Sequence, residues 1–265
     1  MKLTEKQKER YSRHLILKDV GVLGQERLMS GKVLVIGAGG LGSPAIMYLA
    51  ASGIGTIGIV DEDNIDLSNM QRQIIHSESA IGTSKAESAA KRALDINSEI
   101  RVNVYKERVT ADNIQDIIKE YDFILDCVDN FTSKFLINDA CVLAKKPFCH
   151  AGICEFYGQV LTYVPEKGPC YRCIFEEIPK EGDLDNCATD GVIGSIPGII
   201  GSIQALEAQK YITNVGELLT GKMLTVDGLN MKFRTVEFPE RSSVCRVCGE
   251  NPDIIDIRKE RAYAK

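Results

Sequence analysis

Short apolar runs alternate along the chain with segments in which apolar residues recur every three or four positions. The apolar runs predict β-strands at 33–36, 56–60, 101–105, 122–127 and 147–151. The intervening segments predict helices at 41–52, 83–96, 111–119 and 132–144, with one or two more within 4–29. Such alternation is typical of α/β proteins with right-handed crossovers. We therefore predict a Rossmann-like, doubly wound and mainly parallel sheet.

The pattern changes after Gly152, where single helices no longer separate the strands. Strands are predicted at 158–164, 222–227 and 232–238, and a helix at 195–213. We expect these strands to extend the sheet in an antiparallel or mixed way. The chain should form one domain over 1–265, composed of an N-terminal helical segment (1–30), a Rossmann part (31–152), a second part (153–250) and a tail (251–265).

Composition narrows the class of protein. Hydrophobic residues make up 44% of the 265 positions, and the formal net charge is −5 without a run of like charges, so nothing suggests nucleic-acid binding. The polar N-terminus lacks the apolar stretch of a signal peptide. The most apolar window, 191–206, contains Pro197 and is short for a membrane span. We expect a cytoplasmic protein with neither a membrane nor a nucleic acid as partner.

A glycine-rich turn follows the first predicted strand. Gly37, Gly39 and Gly42 in "GAGGLG" have the spacing G-x-G-x-x-G, and Asp61 ends the next strand. The first two glycines allow a tight turn close to phosphate, and the third lets the following helix pack on the strand. The acidic residue can accept hydrogen bonds from a ribose. This motif alone also fits an NAD-dependent oxidoreductase, and no P-loop motif is present.

The loop after the second strand favours a nucleoside triphosphate over NAD. A triphosphate brings a charge of about −4 and needs local cations in an acidic protein. Arg72 in "SNMQRQ" and Lys85 at the start of the next helix supply two, and Asn69 and Gln73 add neutral hydrogen-bonding groups. A dehydrogenase has no need of this cluster. We therefore favour ATP as the ligand.

A triphosphate is normally handled with Mg²⁺, which requires a carboxylate. Asp129 follows the strand at 122–127, and ligands of open α/β sheets bind beyond the carboxyl ends of the strands. We therefore predict that Asp129 binds Mg²⁺. Asp126 lies nearer the strand interior and is interpreted as a structural hydrogen-bond acceptor.

The nine cysteines of this chain point to free thiols or metal ligands rather than disulfides. Two C-x-x-C pairs are formed by Cys170, Cys173, Cys245 and Cys248. Four thiolates complete a tetrahedral structural Zn²⁺ site, and redox activity is the less favoured alternative. Core positions are predicted for Cys127, Cys141, Cys149 and Cys154. No catalytic role is assigned to His14, His76 or His150.

Together with "DEDNIDLSNMQRQ", "GTSKAESA", "DCVDN" and "PCYRC…CRVC", these motifs resemble those of the ThiF/MoeB/HesA family, bacterial relatives of the ubiquitin-activating enzymes. The resemblance runs from about Arg10 to Cys248. It implies adenylylation, with ATP and Mg²⁺, of the C-terminal Gly-Gly carboxylate of a small ubiquitin-like sulfur carrier. Molybdopterin and thiamine-thiazole biosynthesis are the usual destinations. It also implies a homodimer in which 153–250 is the carrier-binding and zinc part.

The same resemblance implies roles for individual residues. The nucleotide site would comprise Gly37, Gly39, Gly40, Gly42, Asp61, Asp63, Ser68, Asn69, Gln73 and Asn130. The phosphates would be held by Asn69, Arg72, Gln73 and Lys85. Asp129 would position Mg²⁺, and Arg13 matches an arginine that reaches into the partner subunit's ATP site. These cations would neutralise the charge that develops as the carboxylate attacks the α-phosphorus. The product is an acyl-adenylate, which sulfur then attacks.

Other classes of function remain as alternatives. An NAD-dependent oxidoreductase or a catalytically silent adaptor would leave the phosphate-binding cluster unused. A family relative that adenylates a carboxylate on modified tRNA is a further alternative. The short sequence after Cys248 leaves no room for a sulfurtransferase domain, so we expect a separate sulfur-donor protein.

Cys187 lies in an acidic, turn-rich segment, 175–191, which we expect to be a mobile crossover loop. The resemblance to the family implies that this loop passes over the carrier's tail. A thiol near a helix N-terminus can have a lowered pKa, as a nucleophile attacking an acyl-adenylate would need. The resemblance makes a cysteine here the candidate for a covalent link to the carrier. The acidic neighbours oppose a lowered pKa, so a loop cysteine without a role is the alternative.

Overall fold

One mixed sheet forms the centre of the protein in the computed structural model, which describes residues 3–179, 191–238 and 240–263. Its strands are β1 (Lys32–Ile36), β2 (Thr56–Val60), β3 (Arg101–Tyr105), β4 (Phe123–Asp126), β5 (Phe148–Cys154), β6 (Tyr157–Tyr163), β7 (Lys222–Asp227) and β8 (Lys232–Glu237). Their order is β3-β2-β1-β4-β5-β6-β7-β8. Neighbours from β3 to β5 are parallel, and those from β5 to β8 are antiparallel. The predicted parallel sheet with an antiparallel extension is confirmed.

Helices cover both faces of the sheet. The α-helices are α1 (Glu5–Arg10), α2 (Ser12–Leu15), α3 (Gly21–Ser30), α4 (Gly42–Ser52), α5 (Lys85–Ile96), α6 (Ile114–Ile118), α7 (Phe131–Leu143), α8 (Tyr171–Ile174) and α9 (Ser195–Thr213). Short 3₁₀ helices occupy Leu67–Asn69, Glu78–Ala80, Ile257–Lys259 and Arg261–Tyr263. Along β1, Val33 and Val35 pack with α4, α5 and α9, whereas Leu34 and Ile36 pack with α6 and α7. A strand buried on both faces is apolar throughout, which explains the continuous run in the sequence.

The strand register brings the future site residues to one edge of the sheet. Ile36 of β1 lies opposite Asp126 of β4, and Asp126 lies opposite His150 of β5. The loops that follow β1, β2 and β4 therefore gather at the carboxyl edge, where open α/β sheets bind ligands.

Two helical predictions differ from the structure. The segment 4–29 contains three helices rather than one or two, because the backbone leaves helical geometry at Tyr11 (φ −97°, ψ 14°) and turns left-handed at Gly21 (φ +53°). The helix predicted at 111–119 begins only at Ile114. Asn113 accepts from the Thr110 N–H at 2.8 Å and donates to the Arg108 carbonyl at 2.9 Å, so its side chain stabilises a turn in place of the first helical turn.

α9 is the apolar segment for which a buried helix was predicted, and its bounds match that prediction. Ile196, Ile200, Ala205 and Ala208 are buried against α4 and the sheet. Within the described ranges, no helix is both long and apolar enough to cross a membrane.

Candidate active site

A cleft of about 1150 Å³ opens at the carboxyl edge of the sheet. Of the predicted site residues, it brings together Gly37, Gly39, Gly40, Asp61, Asp63, Arg72, Gln73, Lys85, Asp129 and Asn130. These residues come from four separate stretches of sequence that follow β1, β2 and β4 or begin α5. The fold therefore collects most of the predicted site around one cavity.

The glycine turn is shaped by close backbone approach. Gly37 has φ +100°, and a Cβ there would lie 2.6 Å from the Cys127 carbonyl oxygen. A Cβ on Gly42 would lie 2.0 Å from the carbonyl oxygen of Gly37. Gly42 thus lets α4 begin against the turn and does not line the cleft, whereas Gly39 and Gly40 do. The N–H groups at the start of α4 favour an anion in this place.

Asp61 ties the glycine turn to the end of β2. Its Oδ2 accepts from the Ala38 N–H at 2.7 Å and its Oδ1 accepts from the Asp63 N–H at 2.9 Å. Burial raises the pKa of Asp61, although both N–H bonds oppose this shift. The carboxylate therefore fixes the turn and still borders the cleft, where a ribose hydroxyl could reach it.

Two cationic side chains, Lys85 and Arg72, line the cleft together with the glycine turn. Lys85 begins α5, where Ser84 caps the helix, and its Nζ donates to Asp63 Oδ2 at 2.8 Å. The Arg72 guanidinium donates to the Ser68 carbonyl at 3.1 Å. Both side chains line the cavity on the side of the glycine turn.

Ser68 and Asn69 lie outside the cleft wall and shape the turn that carries Arg72. Asn69 Oδ1 accepts from the Asp66 N–H at 3.0 Å, and Asp66 Oδ1 accepts from the Ser68 N–H at 2.8 Å. This reciprocal pair fixes a 3₁₀ turn. A direct contact of either residue with nucleotide stays a prediction. Gln73 is buried in the cleft wall, and its Oε1 has no hydrogen-bond partner among the described residues.

The end of β4 presents Asp129 and Asn130. Asp129 is exposed and lines the cleft, as a metal-binding carboxylate should. Asn130 accepts from the Ser133 N–H at 2.9 Å and so caps α7, which commits its oxygen to the helix. Asp126 is fully buried and accepts from the Val128 N–H at 3.2 Å and from His150 at 2.6 Å. Its predicted role as a structural acceptor is confirmed.

Sequence reasoning missed several residues of the cleft: Arg108, Lys134, His150, Lys232 and Arg234. Lys134 follows the cap of α7 by one turn and bears no recognisable motif. His150 lies on the fifth predicted strand, but its place beside Asp126 follows only from the observed pairing of β4 with β5. Cys154, expected in the core, is only half-buried and lines the cleft. Along β5 the first four residues are buried and the last three, which include Cys154, are only partly buried.

The four cysteines of the C-x-x-C pairs converge. Their Sγ atoms lie 3.8 Å (170–173), 3.7 Å (170–245), 3.4 Å (173–248) and 3.5 Å (170–248) apart. Four sulfurs around one tetrahedral Zn²⁺ at about 2.3 Å are about 3.8 Å apart, so the donor set fits zinc. Cys170, Cys173, Cys245 and Cys248 thus form a cluster, called the Cys₄ site below, that could hold one metal ion. The predicted burial of Cys127, Cys141 and Cys149 is confirmed.

One predicted catalytic residue, Arg13, does not line this cleft. Arg13 lies on α2, exposed at the surface and away from the cavity lining. Ile16, Leu17, Val22 and Leu23 beside it are also exposed. Cys187 lies outside the described residues.

Comparisons with known proteins agree with this geometry. The ThiF family model matches residues 11–247. Adenylyltransferase and sulfurtransferase MOCS3 of Dictyostelium discoideum is 46% identical over 94% of this chain and 59% of that protein. SAMP-activating enzyme E1 of Haloferax volcanii is 45% identical over 94% of this chain and 92% of that protein. The chain thus spans somewhat more than half of the first relative and nearly all of the second.

Solved structures show the same fold. E. coli MccB with ATP has a TM-score of 0.78 at 28% identity, covering 93% of this chain and 75% of that one. E. coli MccB with MccA-N7isoASN has a TM-score of 0.80 at 28% identity, covering 91% and 74%. Given the matched region, the relatives and the site, the chain belongs to the ThiF family.

Proposed function

We propose that this protein adenylylates the C-terminal carboxylate of a small ubiquitin-like sulfur-carrier protein that ends in Gly-Gly, with ATP as the co-substrate. The observation that carries the proposal is one cavity joining the glycine turn, Lys85, Arg72 and Asp129. The relatives' names support it, since they describe an adenylyltransferase and an enzyme that activates a SAMP. The ATP complex of MccB supports the choice of nucleotide.

The nucleotide would lie across β2, β1 and β4. Asp61 is available to a ribose hydroxyl at the end of β2, and the glycine turn faces the phosphates. Asp129 would hold Mg²⁺, which neutralises phosphate charge. Arg72 and Lys85 would stabilise the charge that moves onto the departing pyrophosphate. The carboxylate nucleophile is ionised at pH 7, so no general base is required.

The carrier's tail would approach over β5 to β8. On this part of the sheet Gly152 pairs with Gln159, Gln159 with Thr225, and Thr225 with Arg234. All four residues line the same cleft. The Gln159 side chain lies over Gly152, with its Nε2 3.2 Å from the position that a Cβ would take, so the tail would pass beside Gln159. Lys232 and Arg234 add positive charge at the far end. We therefore assign nucleotide binding to 31–152 and carrier binding to 153–250.

Further parts of the proposal concern assembly and sulfur transfer. The Cys₄ site would hold a structural Zn²⁺ that joins the 170–173 segment to the 245–248 segment. The exposed apolar residues near Arg13 would form part of a homodimer interface through which Arg13 reaches the partner's ATP site. A separate protein would supply sulfur to the acyl-adenylate, and Cys187 is retained as a candidate for a covalent link. The cytoplasm is the proposed compartment.

Carrier-dependent ATP–pyrophosphate exchange tests the activity. Candidate carriers ending in Gly-Gly are mixed with the protein, ATP, Mg²⁺ and labelled pyrophosphate. The matched control is the same carrier with its terminal carboxylate converted to an amide, which cannot attack the α-phosphorus. We expect exchange with at least one carboxylate carrier and none with its amide. Exchange that is the same with both forms, or absent with every carrier, contradicts the proposal.

A further inference from the structure

His150 borders the cleft without belonging to the nucleotide side of it. The imidazole is only 1% exposed and lies on β5 directly opposite Asp126 of β4. Its Nδ1 lies 2.6 Å from Asp126 Oδ2. The ring packs against the ring of Tyr171, with centroids 4.2 Å apart. Two neighbours thus hold the imidazole in a fixed orientation.

This orientation defines the chemistry of the other ring nitrogen. Because the carboxylate can only accept, Nδ1 carries the proton and donates it to Asp126. Burial lowers the pKa of His150, and the Lys134 charge adds to this effect, so the ring is neutral at pH 7. Nε2 then carries a lone pair. It has no hydrogen-bond partner among the described residues, although buried polar atoms are normally paired.

The residues around Nε2 do not compete for that lone pair. The Lys134 Nζ donates to the Ala151 carbonyl at 2.6 Å and lies 3.6 Å from Asp126 Oδ1. Its ammonium group is therefore engaged by these two oxygens. Gly152 follows on the same face of β5 and also lines the cavity. At Gly152 an entering main chain meets the flexible side chain of Gln159, whose Nε2 lies 3.2 Å from the position that a Cβ on Gly152 would take.

The strand order indicates which substrate lies near His150. The glycine turn follows β1 and Asp61 follows β2, whereas His150 lies on β5, which is the next strand beyond β4 in the sheet. We propose that His150 Nε2 accepts a hydrogen bond from a backbone N–H of the last two residues of the adenylated tail. A Gly-Gly segment has no side-chain donors, so its peptide N–H groups are the only ones it offers. His150 is thus a positioning residue for the acyl substrate, and this inference rests on the proposed function.

Replacing one peptide N–H at a time tests the inference. Semi-synthetic carriers carry glycolate in place of either terminal glycine, which turns the amide into an ester and removes the donor. For the wild-type protein we expect one of the two esters to raise the carrier KM in pyrophosphate exchange by about five- to tenfold. The KM for ATP should not change.

Two variants of His150 test the same hydrogen bond from the side of the protein. His150→Phe keeps an aromatic ring but has no acceptor, so it should raise the KM of the amide carrier by a similar factor. For this variant the ester carrier should have the same KM as the amide carrier. His150→Gln, which can place an oxygen near the Nε2 position, should recover part of the difference. Exchange with equal KM for amide and ester carriers in the wild type would refute the role of His150 while leaving the proposed function intact. If no carrier supports exchange, both proposals fall.

Ring-nitrogen NMR gives a readout that needs no variant. The chain has three histidines, so each imidazole can be followed. In His76 both ring nitrogens already have partners, Ser88 Oγ and the Ala38 carbonyl, each at 3.0 Å. Binding of the amide carrier with a non-hydrolysable ATP analogue should shift His150 Nε2, and the ester carrier should shift it less. An Nε2 signal that responds equally to both carriers would mean that water or another group is the donor.

Discussion

Lys85 and Asp63 are joined twice. The side chains meet at 2.8 Å between Nζ and Oδ2, and the Lys85 N–H donates to the Asp63 carbonyl oxygen at 2.9 Å. The lysine side chain is 9% exposed whereas the aspartate side chain is 61% exposed. The backbone bond fixes the first turn of α5, and the side-chain bond holds the ammonium group at the cleft wall. In the proposed function, a phosphate would replace the carboxylate there.

We therefore expect Lys85→Ala to lower kcat/KM for pyrophosphate exchange by about two orders of magnitude or more, because a cation that stabilises transition-state charge is lost. The fold should persist, since the backbone bond remains. Lys91→Ala, on the exposed face of the same helix, is the matched control and should retain wild-type exchange. Equal rates in both variants would remove Lys85 from the site.

Asp129→Asn should abolish or strongly weaken Mg²⁺-dependent exchange, because an amide is a poorer ligand for Mg²⁺ than a carboxylate. The measurement is exchange rate against Mg²⁺ concentration. Asp112→Asn removes an exposed carboxylate outside the cleft and serves as the control. If Asp129→Asn has the same dependence of exchange rate on Mg²⁺ concentration as the wild type, Asp129 is not the Mg²⁺ ligand.

The sequence predicted those parts of the site that depend on local geometry. The glycine turn and the N-terminus of α5 lie close to the strands that place them, and apolar runs locate those strands well. Ser68 and Asn69 show the limit of this approach, since a polar cluster can as well cap a turn as bind a ligand. His150 and Lys134 required knowledge of how β4, β5 and α7 pack. Such contacts depend on tertiary register, which a pattern along the chain does not encode locally.

The Cys₄ site leads to a prediction about metal content. We expect about one Zn²⁺ per chain, and Cys170→Ser should lose the metal and lower the melting temperature. Cys154→Ser alters a half-buried thiol outside the four-cysteine group and should keep the metal. Metal analysis and thermal unfolding measure both effects. A wild-type protein that contains no zinc, and whose melting temperature Cys170→Ser does not change, would show that packing alone holds the 170–173 and 245–248 segments together.

Acid should destabilise the protein through its buried histidines. Burial lowers the pKa of both His76 and His150, while the unfolded chain regains the usual value of about 6.5. The unfolded state therefore binds more protons as the pH falls through that value, and the free energy of unfolding decreases. Burial alone would raise the pKa of Asp126, but Lys134 and His150 hold that pKa below its usual value. Protonation of Asp126 should therefore lower the free energy of unfolding further at lower pH.

Urea unfolding at pH 7.5, 6.5 and 5.5, with the Zn²⁺ content checked at each pH, measures this effect. The unfolding midpoint should move to lower urea at each step. His150→Gln removes one titrating group and should give a shallower dependence on pH. A midpoint that rises on acidification would contradict the buried, neutral state of these rings.

Arg13 tests whether the active site is shared between subunits. It is exposed on α2, outside the cleft of its own chain, and exposed Ile16, Leu17, Val22 and Leu23 lie near it in sequence. If each subunit supplies Arg13 to the site of its partner, Arg13→Ala and Lys85→Ala should each lower the rate of pyrophosphate exchange. In a mixed dimer, however, one site keeps both Lys85 and the partner's arginine. Equal mixing under subunit exchange should therefore restore about a quarter of the wild-type activity, because half of the dimers are mixed and each has one intact site.

The control is a mixture of Arg72→Ala with Lys85→Ala. These two residues line the cleft of the same chain, so each variant chain lacks one of them. In a mixed dimer every site then misses a cation, and no activity should return. Mass spectrometry of differently tagged subunits establishes that mixed dimers have formed. Recovery in both mixtures would mean that the arrangement is not the one proposed. No recovery in demonstrably mixed Arg13 dimers would contradict an arginine supplied by the partner subunit.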